Sequence, residues 1–363
     1  MSDFVEKIAI VAITKHGAKL GNRLRDLLGR GDLFVSSKFR DEVGGGVNFF
    51  ELSLRELIVD IWPCYDALVF FVSLGAVIRI IAPHIKDKHI DPAVITIDDN
   101  ANFVISVLSG HIGGANELTE DIAGLLESTP VITTASDVGK TIPVDILGRE
   151  FGWILEGKEN ITKVSAAVVN GEKIGLFQST GEKNWWRRKT PIPENIKIYS
   201  SLDTMVSEGC AAYLIITDRV LNESYSSILQ KAVLYRPKSL VLGIGCDRGV
   251  SADEVEELVV STLEKNCLSL KSVKSIATID NRKKEEGINR FAEKYSFSVQ
   301  YFTKDKLNQI TDVPNPSAMA MKYVGVIGVA EPSAILGSSW GELIVPKVKS
   351  KMATLAIARI RFK

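Results

Sequence analysis

The sequence predicts an α/β protein with N-terminal and C-terminal α/β domains, each with a largely parallel sheet, joined by a smaller α/β middle domain. Runs rich in β-branched residues alternate with segments of helical periodicity along most of the chain, as in sheets whose strands are connected by helices. A length of 363 residues suits two or three domains. The 45% apolar and 24% charged residues are typical of a globular protein.

In the N-terminal domain, expected at residues 1–150, strand-like and helical segments follow one another. The predicted strands are Ile8–Ile13, Ala67–Val72, Ala93–Ile97, Phe103–Val107 and Val131–Thr134. The predicted helices are Ala18–Leu28, Ala76–Ile85 and Asn116–Leu126. A short polar turn at 98–102 indicates a hairpin. Buried strands joined by helices predict a largely parallel sheet that is covered on both faces.

Composition changes near residues 150 and 237, which predicts a middle domain at 151–236 and a C-terminal domain at 237–363. The middle segment contains a predicted helix, Ile161–Val169, a strand, Ala212–Thr217, and an exposed loop, Trp185–Lys189. Predicted strands of the C-terminal domain are Ser239–Gly243, Ile276–Ile279, Ser298–Phe302 and Ala353–Ile360. Its predicted helices are Ala252–Lys265 and Glu285–Tyr295.

Charge and composition exclude several classes of function. The 44 basic and 44 acidic residues cancel, which gives no reason to expect nucleic acid or an anionic membrane as a partner. The longest apolar segment, Ala67–Ala82, is interrupted by polar residues and falls short of the about 20 residues that a bilayer span requires. Four widely spaced cysteines suggest reduced thiols and a cytoplasmic protein, and four histidines without a ligand motif argue against a metal site.

Three glycine-containing loops are predicted at the carboxyl ends of strands, where open α/β sheets bind ligands. They are Ser73–Ala76, Ser109–Glu117 and Gly243–Gly249. Glycine lets backbone N–H groups approach an anion closely, and a following helix adds partial positive charge.

The second loop contains the most candidate catalytic residues. His111 lies among Gly110, Gly113 and Gly114, and Asn116 and Glu117 begin the next helix. A loop histidine can act as a general base near neutral pH, and adjacent glycine amides can form an oxyanion hole. The alternative is that Asn116 caps the helix and His111 hydrogen-bonds to backbone.

The first and third loops give weaker signals. Ser73 and Gly75 precede Arg79, which could clamp an anion or simply emerge on the helix surface. The third loop has the spacing G-x-G-x-x-x-G and includes Gly243, Gly245 and Arg248. That spacing is one residue too long for a dinucleotide fingerprint, so a tight strand-to-helix turn is the alternative.

One acidic residue near the C-terminus is a further candidate. Glu331 precedes Pro332 at the start of a predicted helix. It could orient substrate or transfer a proton, or it could be a first-turn acid stabilised by the helix dipole.

Taken together, the motifs resemble the CbiG family along the whole chain, most weakly in the middle. The N-terminal motifs are Val72–Val77, Lys88–Val94, Leu108–Leu118 and Pro130–Ala135. The C-terminal motifs are Leu242–Cys246, Pro314–Ser317, Val329–Ser333 and Leu343–Lys347. Asp247 departs from the basic residue expected at its position, which weakens the case that this loop contacts substrate carboxylates.

The resemblance implies a cobalt-precorrin-5A hydrolase of anaerobic cobalamin biosynthesis, which opens a δ-lactone on a cobalt-containing macrocycle and releases acetaldehyde. It implies a corrinoid substrate that brings its own cobalt, and no protein cofactor. On this hypothesis His111 is the general base, Gly113 and Gly114 bind the oxyanion, Arg79 and Arg248 hold carboxylates, and Glu331 serves the later proton transfer. Whether the chain forms a homodimer or contacts other enzymes of the pathway stays open.

Two other functions are compatible with the sequence. A non-catalytic corrinoid-binding or delivery protein could use the same fold, since no nucleophile triad is recognisable. A nucleotide-dependent enzyme could use Gly243–Gly249.

The neutral net charge conceals an uneven distribution. Residues 1–150 carry 14 basic and 21 acidic side chains, whereas Leu343–Lys363 contains six cations and no acid. A polyanionic small molecule is therefore expected to meet the C-terminal half first, and Lys347, Lys349 and Lys351 are expected to assist its capture.

Overall fold

We describe the protein from a computed structural model, covering residues 5–51, 53–88, 90–186 and 190–362. The chain forms two compact units, residues 1–146 and 147–363. The first unit contains one sheet of seven strands, and the second contains two sheets of five strands. The predicted α/β class is confirmed.

The first sheet has the order β3-β2-β1-β4-β5-β6-β7. Its strands are β1 (Ile8–Ala12), β2 (Asp32–Ser36), β3 (Val47–Phe50), β4 (Ala67–Phe71), β5 (Ala93–Ile97), β6 (Phe103–Leu108) and β7 (Thr129–Val131). The helices of this unit are α1 (Lys15–Leu28), α2 (Leu54–Ile61), α3 (Leu74–Ile81), α4 (Ala115–Leu126) and α5 (Ala135–Val138).

Strand direction changes once in this sheet. Strands β1 to β5 are parallel, β6 pairs antiparallel with β5, and β7 runs parallel to β6. The predicted hairpin between 97 and 103 is confirmed. Along β1 and β4, alternate residues belong to separate apolar cores, for example Ile10 and Val69 on one face and Val11 and Phe70 on the other. The sheet is thus covered on both faces, as predicted.

In the second unit, the second sheet has the order β10-β9-β11-β12-β8, with only β8 antiparallel to its neighbour. Its strands are β8 (Ile154–Glu156), β9 (Ile174–Gln178), β10 (Ile196–Tyr199), β11 (Ala212–Ile216) and β12 (Ala232–Arg236). The accompanying helices are α6 (Ile161–Val169), α7 (Leu202–Glu208) and α8 (Ser226–Leu229).

The expectation of an exposed loop at Trp185–Lys189 is wrong at its first residue. Trp185 is buried, and its indole Nε1 donates a hydrogen bond to Gln178 Oε1 at 2.8 Å. A large aromatic ring with one satisfied polar atom is more stable against the sheet than in water. Residues 187–189 lie outside the described part of the chain, as does His89 of the Lys88–Val94 motif.

The third sheet has the order β15-β14-β13-β17-β16. Its strands are β13 (Leu240–Cys246), β14 (Val273–Ile279), β15 (Ser298–Phe302), β16 (Glu342–Lys349) and β17 (Ala353–Arg359). The helices are α9 (Ala252–Lys265), α10 (Glu286–Lys294), α11 (Lys304–Leu307), α12 (Ala318–Tyr323) and α13 (Ala330–Gly337). Strands β13, β14 and β15 are parallel, whereas β17 and β16 form an antiparallel hairpin beside β13.

A buried ion pair connects the loop after β11 with the third sheet. Asp218 is fully buried and accepts hydrogen bonds from Arg359 Nε at 2.7 Å, Arg359 Nη2 at 3.0 Å and Ser239 Oγ at 2.8 Å. Separating Asp218 from Arg359 would leave an uncompensated buried charge. The ion pair therefore holds the second sheet against the third. Among the described residues, no helix is long and apolar enough to cross a membrane.

Candidate functional site

The first two glycine loops lie at opposite edges of the first sheet. The Ser73 loop follows β4, at the carboxyl edge of the five parallel strands, where the strand order reverses between β1 and β4. Because β6 runs antiparallel, the loop that follows it returns to the other edge, where Ser109 Oγ donates to the Asp91 carbonyl ahead of β5 at 2.9 Å. As predicted, the Ser109–Glu117 loop follows the carboxyl end of a strand, β6, but that end lies at the opposite edge of the sheet from the Ser73 loop.

At this second edge, two carboxylates converge on His111. The imidazole Nε2 lies 3.0 Å from Asp137 Oδ2 and 3.0 Å from Ser136 Oγ, and Nδ1 lies 3.3 Å from Asp145 Oδ1. The three ionisable side chains are only 15–24% exposed. We call His111, Asn116, Ser136, Asp137 and Asp145 the His111 centre.

The loop after β7 and the turns beyond it supply the acidic partners. Asp137 lies in the single-turn helix α5, and Asp145 follows the buried Ile142 and Val144. Chain segments that come after the predicted strand Val131–Thr134 thus complete the centre. Sequence reasoning missed both aspartates and Ser136; their one visible signal was that they closely follow the Pro130–Ala135 motif.

Asn116 organises the centre instead of capping helix α4. It is 7% exposed, its Nδ2 donates to Asp137 Oδ2 at 2.7 Å and to Thr134 Oγ1 at 2.8 Å, and its Oδ1 accepts from Ser106 Oγ at 2.7 Å. Gly114 caps the helix, in the left-handed conformation with a φ of 83°. The alternative interpretation, an Asn116 cap and a His111 bonded to backbone, does not match this geometry.

The glycines of the loop make it compact. A side chain on Gly113 would place its Cβ 2.4 Å from the Ser109 Cβ, and one on Gly110 would meet the Asn116 amide at 2.7 Å. The Gly114 N–H donates to the His111 carbonyl at 3.1 Å. This amide is already engaged, so the predicted oxyanion hole does not fit at Gly114. Glu117 is exposed in the first turn of α4.

The charge of His111 follows from its partners. Burial alone lowers the pKa of an imidazole, but the hydrogen bonds and charges of Asp137 and Asp145 outweigh it and raise the pKa of His111 to about 9. Burial of Asp145 is likewise outweighed by His111, which lowers the pKa of that carboxyl group. His111 is therefore an imidazolium at neutral pH that donates from both nitrogens. In this state it can release a proton to a bound group.

The Ser73 loop holds no comparable cluster among its described residues. Ser73, Gly75 and Arg79 are exposed, and Arg79 Nη1 donates to the Gly75 carbonyl of its own helix at 2.7 Å. This is the helix-surface arrangement that was the alternative for Arg79. Helix α3 begins at Leu74 and ends at Ile81, ahead of Pro83.

The third glycine segment is a strand for most of its length. Gly243 and Gly245 lie within β13, which continues to Cys246, so the expected loop beginning at Gly243 is wrong. A Cβ on Gly243 would lie 1.9 Å from the Ala330 carbonyl oxygen, so this glycine allows helix α13 to pack directly on the strand. Gly245 and Arg248 line a cleft of about 570 Å³ at the end of β13.

Glu331 is enclosed by hydrogen-bond donors. It is 2% exposed in the first turn of α13 and accepts from Asn315 N at 3.1 Å, Asn315 Nδ2 at 2.9 Å and Lys347 N at 2.9 Å. Both carboxylate oxygens are occupied, so the geometry favours a residue that fixes the segment around Asn315 and strand β16 to the helix.

Sequence models of three domains match the chain in succession. They are described as "Cobalamin synthesis G N-terminal" at residues 56–137, "Cobalamin biosynthesis central region" at 142–237 and "Cobalamin synthesis G C-terminus" at 240–358. The three matches include the His111 loop, Asp137 and the C-terminal cleft.

Two relatives extend over nearly the full length. A protein of Priestia megaterium named cobalt-precorrin-5A hydrolase is 47% identical over 98% of this chain and 95% of its own length. A protein of Salmonella typhimurium with the same name is 29% identical over 97% of each chain. A solved structure from Sulfolobus solfataricus, a putative cobalamin biosynthesis protein G homolog, covers 98% of both chains at 24% identity with a TM-score of 0.40. The end-to-end identity with the Priestia protein and the three consecutive domain matches show that this chain belongs to the CbiG family of cobalamin biosynthesis.

Proposed function

We propose that the chain is a cobalt-precorrin-5A hydrolase, which converts its substrate to cobalt-precorrin-5B and acetaldehyde. The observation that carries the proposal is the 47% identity to a protein of that name, which spans 98% of this chain and includes both the His111 loop and the C-terminal cleft. The corrinoid brings the cobalt, and the protein needs no cofactor of its own.

The reaction sets clear requirements for proton transfer. Water attacks the lactone carbonyl, the ring C–O bond breaks, and the products are a carboxylic acid and an alcohol on the macrocycle. The alcohol then loses its O–H proton as the adjacent C–C bond breaks, the electron pair remains on the macrocycle, and a proton is added there. One water is consumed and one acetaldehyde is released.

The His111 centre can supply the acid and then the base for these two steps. Asp137 Oδ2 and Ser136 Oγ both lie 3.0 Å from Nε2 of His111. A substrate oxygen can replace one of these two as the hydrogen-bond acceptor for the Nε2 proton. Asp145 holds Nδ1 and fixes the ring orientation. The attacking water gives one proton to solvent, and His111 protonates the departing ring oxygen and becomes neutral. His111 takes its proton back from the alcohol when the C–C bond breaks, and a solvent proton is added to the macrocycle. This order replaces the general-base role expected from the sequence.

Free cysteines support a reducing compartment. Cys64, Cys210, Cys246 and Cys267 are unpaired, and we propose that the protein works in the cytoplasm.

The proposal is tested with purified full-length protein and cobalt-precorrin-5A. Acetaldehyde is measured by a coupled alcohol dehydrogenase, and the corrinoid product by mass. We expect one acetaldehyde for each molecule of substrate consumed. Substrate that binds with a spectral change but yields no acetaldehyde would instead support the non-catalytic corrinoid-binding or delivery protein.

A further inference from the structure

The C-terminal cleft lies at the carboxyl edge of the third sheet. Its walls come from the residues that follow β13, those that follow β14, the turn between β16 and β17, and helix α12. In an open sheet with parallel neighbouring strands this edge is the usual ligand-binding position. Its volume of about 570 Å³ falls in the ordinary range for small-molecule sites.

Cations dominate the lining. Arg248 follows β13, Arg282 follows β14, Lys347 and Lys349 lie on β16, and Lys351 lies in the β16–β17 turn. Within the described ranges, no carboxylate lies within ion-pair distance of any of these five side chains, and Asp247 is the one acid of the lining.

Two acids outside the lining interact with these cations: the charge of Glu331 acts against the effect of burial on Lys347, and hydrogen bonds from Ser350 and Met352, together with the charge of Lys351, lower the pKa of Glu254. Burial raises the pKa of the Cys246 thiol to about 12, so the thiol is neutral near pH 7. Partial burial is the main reason that the pKa of Lys347 lies below its usual range, which indicates a cation held out of bulk water. A bound anion would relieve that cost.

The cleft wall is rigid where the cations emerge. Glu331 accepts the backbone N–H of Lys347, and the Lys347 Nζ donates to the Asn315 carbonyl. Glu254 accepts from Ser350 Oγ at 2.7 Å and from Met352 N at 2.6 Å, which holds the turn on either side of Lys351. Preorganised cations lose little freedom on binding an anion.

The remaining lining is apolar and partly exposed. Ile279, Val324 and Val329 form part of the lining, while Met319 and Tyr323 on helix α12 are 64% and 70% exposed. Large apolar side chains exposed beside a cleft suit a ligand with an apolar face. The cleft thus offers separated positive charges around an apolar surface.

A phosphate group fits this cleft poorly. Gly243 and Gly245 belong to a strand, and the Gly249 N–H donates to the Glu285 carboxylate at 2.8 Å, so this loop amide is already bound to an acid. The cations come from three separate stretches of chain instead of converging on one loop. Several dispersed anions match this pattern better than one phosphate, which argues against the nucleotide-dependent alternative.

We infer that the C-terminal cleft binds the peripheral carboxylates of a corrinoid, with Arg248, Arg282, Lys347, Lys349 and Lys351 as the carboxylate-binding cations and helix α12 beside the macrocycle. The choice of a corrinoid rests on the proposed function. The recognition of a polycarboxylate rests on the cleft itself.

Binding of cobyrinic acid, a cobalt corrin with seven free carboxyl groups, tests the inference without turnover. The full-length wild type is compared by calorimetry with Lys349→Gln/Lys351→Gln. We expect the double substitution to raise the Kd about 10-fold or more and to flatten its dependence on salt, because two charge-assisted contacts are lost. The heptamethyl ester of the same corrin should bind weakly to both proteins.

A matched control is Lys265→Gln/Lys274→Gln. These two lysines are exposed at the amino edge of the same sheet, so the change in net charge is the same but lies away from the cleft. The control should keep the wild-type Kd. An unchanged Kd in the cleft variant, an equal loss in the control, equal binding of the ester or no binding to the wild type would each overturn the inference. Cleft-dependent binding by a wild type that releases no acetaldehyde would reject the hydrolase proposal alone.

Discussion

The His111 centre and the C-terminal cleft differ in both position and charge. The first lies at the amino edge of the parallel strands and pairs one cation with two carboxylates. The second lies at the carboxyl edge of its sheet and collects five cations without ion-pair partners in the described chain. A cluster of paired charges with an exchangeable proton suits proton transfer, whereas a set of cations without ion-pair partners suits anion binding. We propose that turnover depends on the first region and substrate affinity on the second.

The largest effect is expected at the His111 centre. His111→Gln removes the exchangeable proton, and Asp145→Asn removes the carboxylate that orients the ring. We expect kcat for acetaldehyde release to fall by about 10²- to 10⁴-fold in each, with a KM close to that of the wild type. His16→Gln, which alters an exposed histidine of helix α1, is the matched control. A folded His111→Gln protein with a near-normal kcat would remove His111 from the chemistry.

Substitution of Glu331 tests whether this acid is structural or catalytic. Glu331→Gln replaces one acceptor oxygen by an NH₂ group that must face backbone or amide donors. We expect a loss of about 2–3 kcal/mol in the free energy of unfolding and a weaker affinity for cobyrinic acid, because Lys347 is no longer held. Urea denaturation and calorimetry measure the two effects. Unchanged stability together with a lost kcat would restore the catalytic role predicted from the sequence.

A smaller effect is expected in the pH dependence of stability. Since the folded pKa of His111 is about 9 and its ordinary value is 6.5, the ion pairs stabilise the fold fully below about pH 6.5. After a reduction for screening by solvent, this contribution is on the order of 2 kcal/mol, and it is lost as the pH rises through 9. The Tm of the wild type should therefore fall between pH 6.5 and 9.5.

Asp145→Asn provides the control for this titration. Removing one of the two carboxylates lowers the folded pKa of His111, so the fall in Tm should still begin near pH 6.5 but become smaller and end at a lower pH. Identical Tm profiles for the two proteins would show that the His111–Asp145 pair does not contribute.

The strands and helices around the His111 centre and the C-terminal cleft could be predicted from the sequence more accurately than the residues that meet in these two sites. The hairpin β5–β6 and helix α9 have periodicity and turn signals strong enough to identify them. The hairpin also predicts that β6 runs antiparallel to β5. This direction places His111 at the opposite edge of the sheet, which becomes visible only when the order of all seven strands is known. Asp145 could not be found locally, because its approach to His111 depends on turns without a periodic pattern.

Short strands with alternating buried and exposed residues are among the elements that the sequence did not predict. Strand β2 has only five residues, with Leu33 and Val35 buried between exposed or half-buried neighbours, which resembles a loop with two apolar side chains. The sequence predicts a loop from Gly243 because glycine usually marks a turn. In the structure it marks the close contact of helix α13 with strand β13.

The most direct test measures affinity and single-turnover rate on the same two variants, His111→Gln and Lys349→Gln/Lys351→Gln, with cobalt-precorrin-5A. We expect the first variant to bind substrate with the wild-type Kd but to release acetaldehyde at least about 100-fold more slowly. We expect the second to bind at least about 10-fold more weakly but to turn over normally once saturated. Equal losses of affinity and rate in both variants, or the reverse pattern, would contradict the separation of turnover from substrate affinity.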